Sequence, residues 1–245
     1  MTTNILSVDE VTKEFEGGFK LGPVSFAIAS GQTMALVGKN GAGKTTLFQL
    51  LTGNLDATSG VIKLGHDRVL PETPAIKRRI GYLPQHHQLP AWVTGRELLG
   101  YAARLHEMPE PTKVAEDHLD RWGATEYGHK PIASCSHGMQ KRIGIGLATM
   151  HDPELLILDE PFSGLDLTHI RSLSDLILAR AKKGQATLIS THITPYCARL
   201  AGTVSMIVAG QVSTLDSWTS LDELARARTL EAEFFRDDSS ATSPC

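Results

Sequence analysis

The chain has 245 residues, a formal net charge of −3, and 41% apolar against 21% charged residues. That is enough for one large domain or a core with a small subdomain, and the mild acidity gives no electrostatic footprint for nucleic acid, so no nucleic-acid partner is expected. Cys135, Cys197 and Cys245 are the three cysteines, and they form neither a CxxC pair nor a disulfide framework. A reducing compartment suits them. The segment Met1–Phe15 lacks the basic start and apolar stretch of a signal peptide. No window reaches the roughly 18 consecutive apolar residues of a membrane span, so work at a membrane would go through a partner.

In chain order, Ile5–Val11 alternates loosely and predicts an edge strand, and Val24–Ile28 predicts a second. Thr33–Val37 is a short apolar run. It is followed by the glycine-rich Gly38–Gly43 and then by a helix from Lys44 that Gly53 closes. Gly60–Leu64 and Arg79–Leu83 predict strands. Helical pattern runs from Gly95 to about Gly123, broken by Pro109 and Pro111, and again from Gly138 to about Met150. Leu155–Leu158 is a fully apolar strand of the buried, parallel type. A helix over Leu167–Lys183 ends at Gly184, and Thr187–Ser190 and Val204–Val208 are the last core strands. Alternating strands and helices predict an α/β core with a mostly parallel sheet. The strand-poor stretch 87–150 predicts an inserted α-helical subdomain, leaving 1–86 and 151–235 as the core. The small, polar stretch Asp237–Cys245 predicts a disordered tail over 236–245.

Gly38, Lys39, Asn40, Gly41, Ala42, Gly43, Lys44 and Thr45 fit G-x-x-x-x-G-K-[ST] between an apolar strand and an amphipathic helix. Phosphates need many donors at close range. Glycines let backbone N–H groups face inward, and the helix start adds free N–H groups and its positive dipole end. Lys44 supplies a point charge, Thr45 a hydroxyl for Mg²⁺, and Thr46 continues the helix start beside them. Lys39 reads as a solvated surface lysine.

Asp159 and Glu160 follow the buried strand, where parallel sheets place their ligand sites. Asp159 suits Mg²⁺, directly or through water, and should lie beside the glycine loop. Glu160 suits the polarisation of an attacking water.

These and further motifs, in order, resemble the ATP-binding-cassette (ABC) ATPases over nearly all of residues 1–235. Ile80-Gly81-Tyr82-Leu83-Pro84-Gln85 looks like the strand leading to the family's Q-loop. Ser134-Cys135-Ser136-His137-Gly138-Met139 resembles the signature usually written LSGGQ, keeping the serine and second glycine as Ser136 and Gly138. Its departures at Cys135, His137 and Met139 bear on fine affinity more than on role. Ser163-Gly164-Leu165-Asp166 matches the D-loop, and Thr191-His192 the H-loop.

The resemblance implies a P-loop NTPase (RecA-like) core with a mostly parallel sheet, an N-terminal antiparallel β region and an inserted helical subdomain. It implies ATP and Mg²⁺ as ligands, Gln85 touching Mg²⁺ or the water, and His192 at the γ-phosphate. Phe15 would stack on adenine, with Phe19 a competing candidate and core packing the bland reading for either. Ser136, Gly138 and Asp166 would reach the nucleotide of a second ABC subunit, identical or a close paralogue.

A single cassette without a coiled-coil insert implies a transport ATPase at the cytoplasmic face of the inner (plasma) membrane, peripheral to separate permease subunits. Leu89–Leu105 and Thr229–Phe235 look like segments of bacterial exporter ATPase chains. A soluble ABC ATPase acting on a macromolecular partner is the alternative. Trp92 is read either as an anchor against a coupling helix of the membrane subunit or as part of the subdomain's own core. Cys135 reads as an inert thiol and Lys77-Arg78-Arg79 as a solvated helix end.

Overall fold

The computed structural model describes residues 3–70, 73–86, 89–191, 194–215 and 218–240. One sheet is antiparallel. In it β1 (Asn4–Glu14) lies between β2 (Lys20–Ala29) and β4 (Ser59–Leu64), with β5 (Asp67–Arg68) beyond β4. Its first strand is therefore internal, not the expected edge strand. Pairing irregularities between Val8 and Val11 interrupt the two-residue alternation, so an internal strand reads in sequence like a weakly patterned edge. Its second neighbour arrives only at Ser59, beyond the reach of a local pattern.

The second sheet contains β3 (Thr33–Val37), β6 (Ile80–Leu83), β7 (Leu155–Asp159), β8 (Ala186–Ser190), β9 (Thr203–Val208) and β10 (Gln211–Thr214), in the order β10-β9-β3-β8-β7-β6. All its pairings are parallel except β9 with β10. Every residue of β3, β7 and β8 is buried, which is why they appear as unbroken apolar runs rather than alternating ones.

On one face, α1 (Lys44–Leu51) buries Leu47, Phe48, Leu50 and Leu51 against the strands. The short α2 (Pro74–Lys77) adds Ile76 to the same core. Between β6 and β7 come α3 (Gly95–Leu105), α4 (Pro111–Arg121) and α5 (His137–Thr149). They enclose a core of their own around Leu99, Leu119, Tyr127 and Ile143. The helix α6 (Leu167–Lys182) buries Leu173 and Ile177 against the other face of the sheet.

Three further features depart from the sequence reading. Arg79 is not a solvated helix end. Its guanidinium donates to both oxygens of Glu154 at 2.7 and 2.8 Å and to Asp67 at 2.7 Å. It fastens the antiparallel sheet to the start of β7, a meeting of segments that local charge patterning does not encode. Next, α7 (Thr194–Leu200) and α8 (Glu223–Ser240) were not anticipated. Trp218 is buried near them with its indole N–H donating to the Ala201 carbonyl at 2.8 Å. Lastly, α8 runs through residues 236–240, where a disordered tail was expected. No glycine or proline lies between Glu223 and Ser240, and the first breaker is Pro244. Residues 241–245 lie outside the described residues. Among the described residues no helix is long and apolar enough to cross a membrane.

Candidate nucleotide site

The loop Gly38–Gly43 leaves the carboxyl end of β3 and turns directly into α1. Gly43 occupies the N-cap in a left-handed conformation, φ 110°, and no side chain caps the helix. The first-turn N–H groups are thus not claimed by a capping side chain, the arrangement that receives anions at helix starts. Asn40, Gly41 and Thr45 are exposed, Thr46 is half-buried and Ala42 is buried. Lys44 is buried, and its ammonium donates to the carbonyls of Gly38 and, at 3.0 Å, of Lys39. Burial pushes its pKa below the ordinary lysine value, while the charges of Glu160 and Asp159 act in the opposite sense.

In the sheet β8 separates β3 from β7, yet their carboxyl ends converge. Thr45 Oγ1 donates to Asp159 Oδ2 at 3.5 Å. Ser190, ending β8, donates its hydroxyl to Asp159 Oδ1. Burial raises the Asp159 pKa, with the Glu160 charge acting the same way and Ser190 and Lys44 opposing it. Two hard oxygen donors, one carboxylate and one hydroxyl, therefore meet beside the loop, a donor set that fits Mg²⁺.

Glu160 has φ 49°, left-handed for a residue with a side chain. Its backbone is held there from both ends. The N–H donates to Ser190 O and Oγ, each at 3.1 Å, and the carbonyl accepts from Lys141 Nζ at 2.8 Å. Strained backbone of this kind is kept only where the surroundings over-determine it.

Lys141 stands on α5, the helix that follows Ser136. That serine N-caps the helix, accepting from Met139 N–H at 3.3 Å. Gly138 sits so close to the segment after Glu160 that an added Cβ would lie 2.7 Å from the Gly164 carbonyl oxygen. Lys141 is buried and also donates to the Ser163 carbonyl at 2.8 Å. Asp166 caps α6 by accepting from His169 N–H at 3.0 Å. Signature helix and D-loop are therefore in direct contact within one chain. Cys135 is buried in the core of the helical region, and burial raises its thiol pKa, as fits an inert thiol.

Phe15 is 40% exposed, with its ring 6.2 Å from that of Phe19 and the Lys13 ammonium 5.5 Å from its centre. Phe19 lines the cleft over the loop together with Asn40, Gly41 and Gly43. Gln85 is exposed and faces two clefts, both lined by Thr45. His192 lies outside the described residues. Trp92 is 82% exposed, so it is not part of the helical core. Sequence reasoning passed over Ser190 and Lys141. Ser190 ends an apolar strand, and Lys141 stands beside an arginine in a helix, so neither carries a local signal of its contacts.

This arrangement can be set beside known proteins. The family profile described as "ABC transporter" matches residues 21–163. The chain belongs to the ABC transporter family. Within it, the chain is similar to the ABC transporter ATP-binding protein YxlF of Bacillus subtilis. The two are 37% identical over 212 residues, 85% of this chain and 70% of the relative. It is also similar to the phospholipid-transporting ATPase ABCA3 of Homo sapiens, 34% identical over 217 residues, which are 86% of this chain but 13% of that much longer protein. Among solved structures it superposes on an ATP binding subunit of an ABC transporter with a TM-score of 0.81 and 26% identity. That match covers 93% of this chain and 99% of the other. The fold is accordingly the P-loop NTPase fold of ABC ATPase domains, and the chain binds ATP and is an ABC ATPase.

Proposed function

We propose that this ABC ATPase pairs with a second copy or a close paralogue around two ATP and drives export through separate permease subunits. It would work at the cytoplasmic face of the inner membrane. One observation carries the pairing. The clefts at the P-loop are lined by residues such as Asn40, Lys44, Thr45, Gln85 and Asp159. Ser136 and Gly138 are not among their lining residues; Gly138 sits against the chain's own D-loop at Gly164, and Ser136 is exposed at the start of its helix. A helix start bearing an exposed hydroxyl and a close-approach glycine suits a γ-phosphate that a second subunit presents.

In this reading Gly38, Asn40, Gly41, Ala42, Gly43, Lys44 and Thr46 hold the phosphates, and Phe15 stacks on the base. Thr45, Asp159 and Gln85 would hold Mg²⁺, which would supply Lewis-acid stabilisation of phosphate charge. Glu160 takes the proton of the attacking water, and His192 holds water and γ-phosphate in place. ATP glues the pair, and hydrolysis weakens it. Separate permease subunits are supported by the likeness to a solved ATP binding subunit, and export by the likeness to a phospholipid-transporting ATPase. Trp92 offers an exposed aromatic anchor for a permease segment.

The test is the solution mass of Glu160→Gln with ATP, with ATP and Mg²⁺, and with ADP. A dimer seen only with ATP supports the sandwich and the role of Glu160. A monomer throughout, with ATP binding confirmed, removes the homodimer.

A further inference from the structure

The D-loop and the signature helix are joined by a side-chain link whose direction chemistry fixes. Both oxygens of Asp166 lie 2.8 Å from His169 Nδ1. Across the same ring, His169 Nε2 lies 3.2 Å from Arg142 Nη1 on α5. A guanidinium has only N–H donors. Nε2 must therefore accept, and the ring proton sits on Nδ1, where it donates to Asp166. The link runs from Arg142 through His169 to Asp166.

Its surroundings hold it in place. The same Arg142 nitrogen donates to the Gly123 carbonyl at 3.2 Å, and the guanidinium lies 5.0 Å from the centre of the Tyr127 ring. The His169 side chain is 14% exposed. Space for it exists because position 123 has no side chain. A Cβ there would lie 2.9 Å from His169 Nε2 and 3.4 Å from Arg142 Nη1. Three segments thus converge on one imidazole: the end of α4, the signature helix α5, and the D-loop with α6.

We propose that His169 is a positioning residue for ATP hydrolysis, setting Asp166 and the D-loop relative to the signature helix. The proposal rests on the sandwich reading, in which both segments face the partner's nucleotide. The contacts at Gly138 and Lys141 reach the backbone of residues 160–164. The His169 link extends the joint to the Asp166 carboxylate. A misplacement of a fraction of an ångström at this joint slows turnover without touching the chain's own P-loop.

Two readouts test it. The first is the tautomer of His169 in long-range ¹H–¹⁵N spectra at neutral pH, where the proton is expected on Nδ1. The second is steady-state ATP turnover of His169→Ala, with the affinity of each chain for a fluorescent ATP analogue. The kcat is expected to fall about tenfold while affinity changes less than about twofold. His169→Asn retains a donor toward Asp166, and His169→Gln an acceptor toward Arg142, so each is expected to recover part of the loss. An Nε2-protonated or doubly protonated ring overturns the proposal. So does a His169→Ala kcat within about twofold of wild type, or a loss of kcat matched by an equal loss of affinity. The tautomer is read on the single chain. If Glu160→Gln fails to pair while the tautomer and kcat results hold, the homodimer falls and the link stands.

Discussion

Lys44 and Lys141 are buried alike, each 7% exposed, near the same two carboxylates. Burial lowers the pKa of both, and Glu160 and then Asp159 oppose that shift in both. They differ in what they hold. Lys44 donates to carbonyls of its own loop, Gly38 and Lys39. Lys141 reaches from the helical region to Glu160 and Ser163 across the fold. The first set of bonds is local and can be exchanged for phosphate oxygens. The second ties the signature helix to the strained backbone at Glu160. In the proposed reading, similar electrostatics therefore serve phosphate binding at one end of the site and tertiary clamping at the other.

The contrast is sharpest in what each substitution leaves intact. Lys44→Ala should bring ATP turnover to background, because the charge at the β- and γ-phosphates is gone. Its Tm should fall by less than that of Lys141→Met, since the carbonyls it leaves belong to its own loop and not to a distant segment of the fold. A Tm collapse with ATP binding retained would assign Lys44 a structural role and erase the contrast. Lys141→Met strands two carbonyls and should cost about 1–3 kcal/mol. Thermal denaturation should show that as a drop of roughly 2–4 °C per kcal/mol, with kcat lowered as Glu160 loses its hold. An unchanged Tm would show that Lys141 clamps nothing.

A smaller effect probes the joint between the helical region and the core. His106 and His151 stack with ring centres 4.0 Å apart. The His151 Nε2–H donates to the Ile80 carbonyl at 3.3 Å. Burial first, then the charge of His106, lowers the His151 pKa from 6.5 to about 4. The unfolded chain therefore binds a proton at this site before the folded one does. Stability is full above pH 6.5 and is lost as pH falls from there toward 4. Melting curves over that range should be flatter for His151→Phe, which keeps the stacking and cannot take the proton. An unaltered slope would assign the acid sensitivity elsewhere. Smallest of all, Trp92→Ala should leave Tm and soluble ATP turnover near wild type while losing capture of the permease. A marked loss of stability would contradict its 82% exposure.

The strands β3, β7 and β8 and the helices α1, α5 and α6 are all legible in the sequence, because burial on both faces or one amphipathic stripe leaves a local pattern. So are the P-loop and the two carboxylates, whose chemistry requires particular residues at fixed spacing. Other features were not legible. β1 reads as an edge because its pairing irregularities break the alternation. The last residues of α8, from 236 on, read as a tail because Asp237–Cys245 is small and polar. Arg79 reads as solvated because its partners, Asp67 and Glu154, stand far from it or apart in sequence. Ser190 gives no sign that it donates to Asp159, since the order that places β8 beside β7 is a property of the sheet.

By itself, then, the sequence determined the fold class and the glycine-rich loop, and it named the groups proposed to carry the chemistry. Each depends on neighbours within a few residues, where backbone geometry alone sets distance. The sequence already put Asp159 beside the glycine loop; only the tertiary structure decided that β8 intervenes there with Ser190 donating to that carboxylate, and that Lys141 holds the backbone of Glu160. It alone placed His169 between Arg142 and Asp166. Those contacts join segments with no common local pattern, brought together when apolar faces leave water and the buried polar groups between them must find partners.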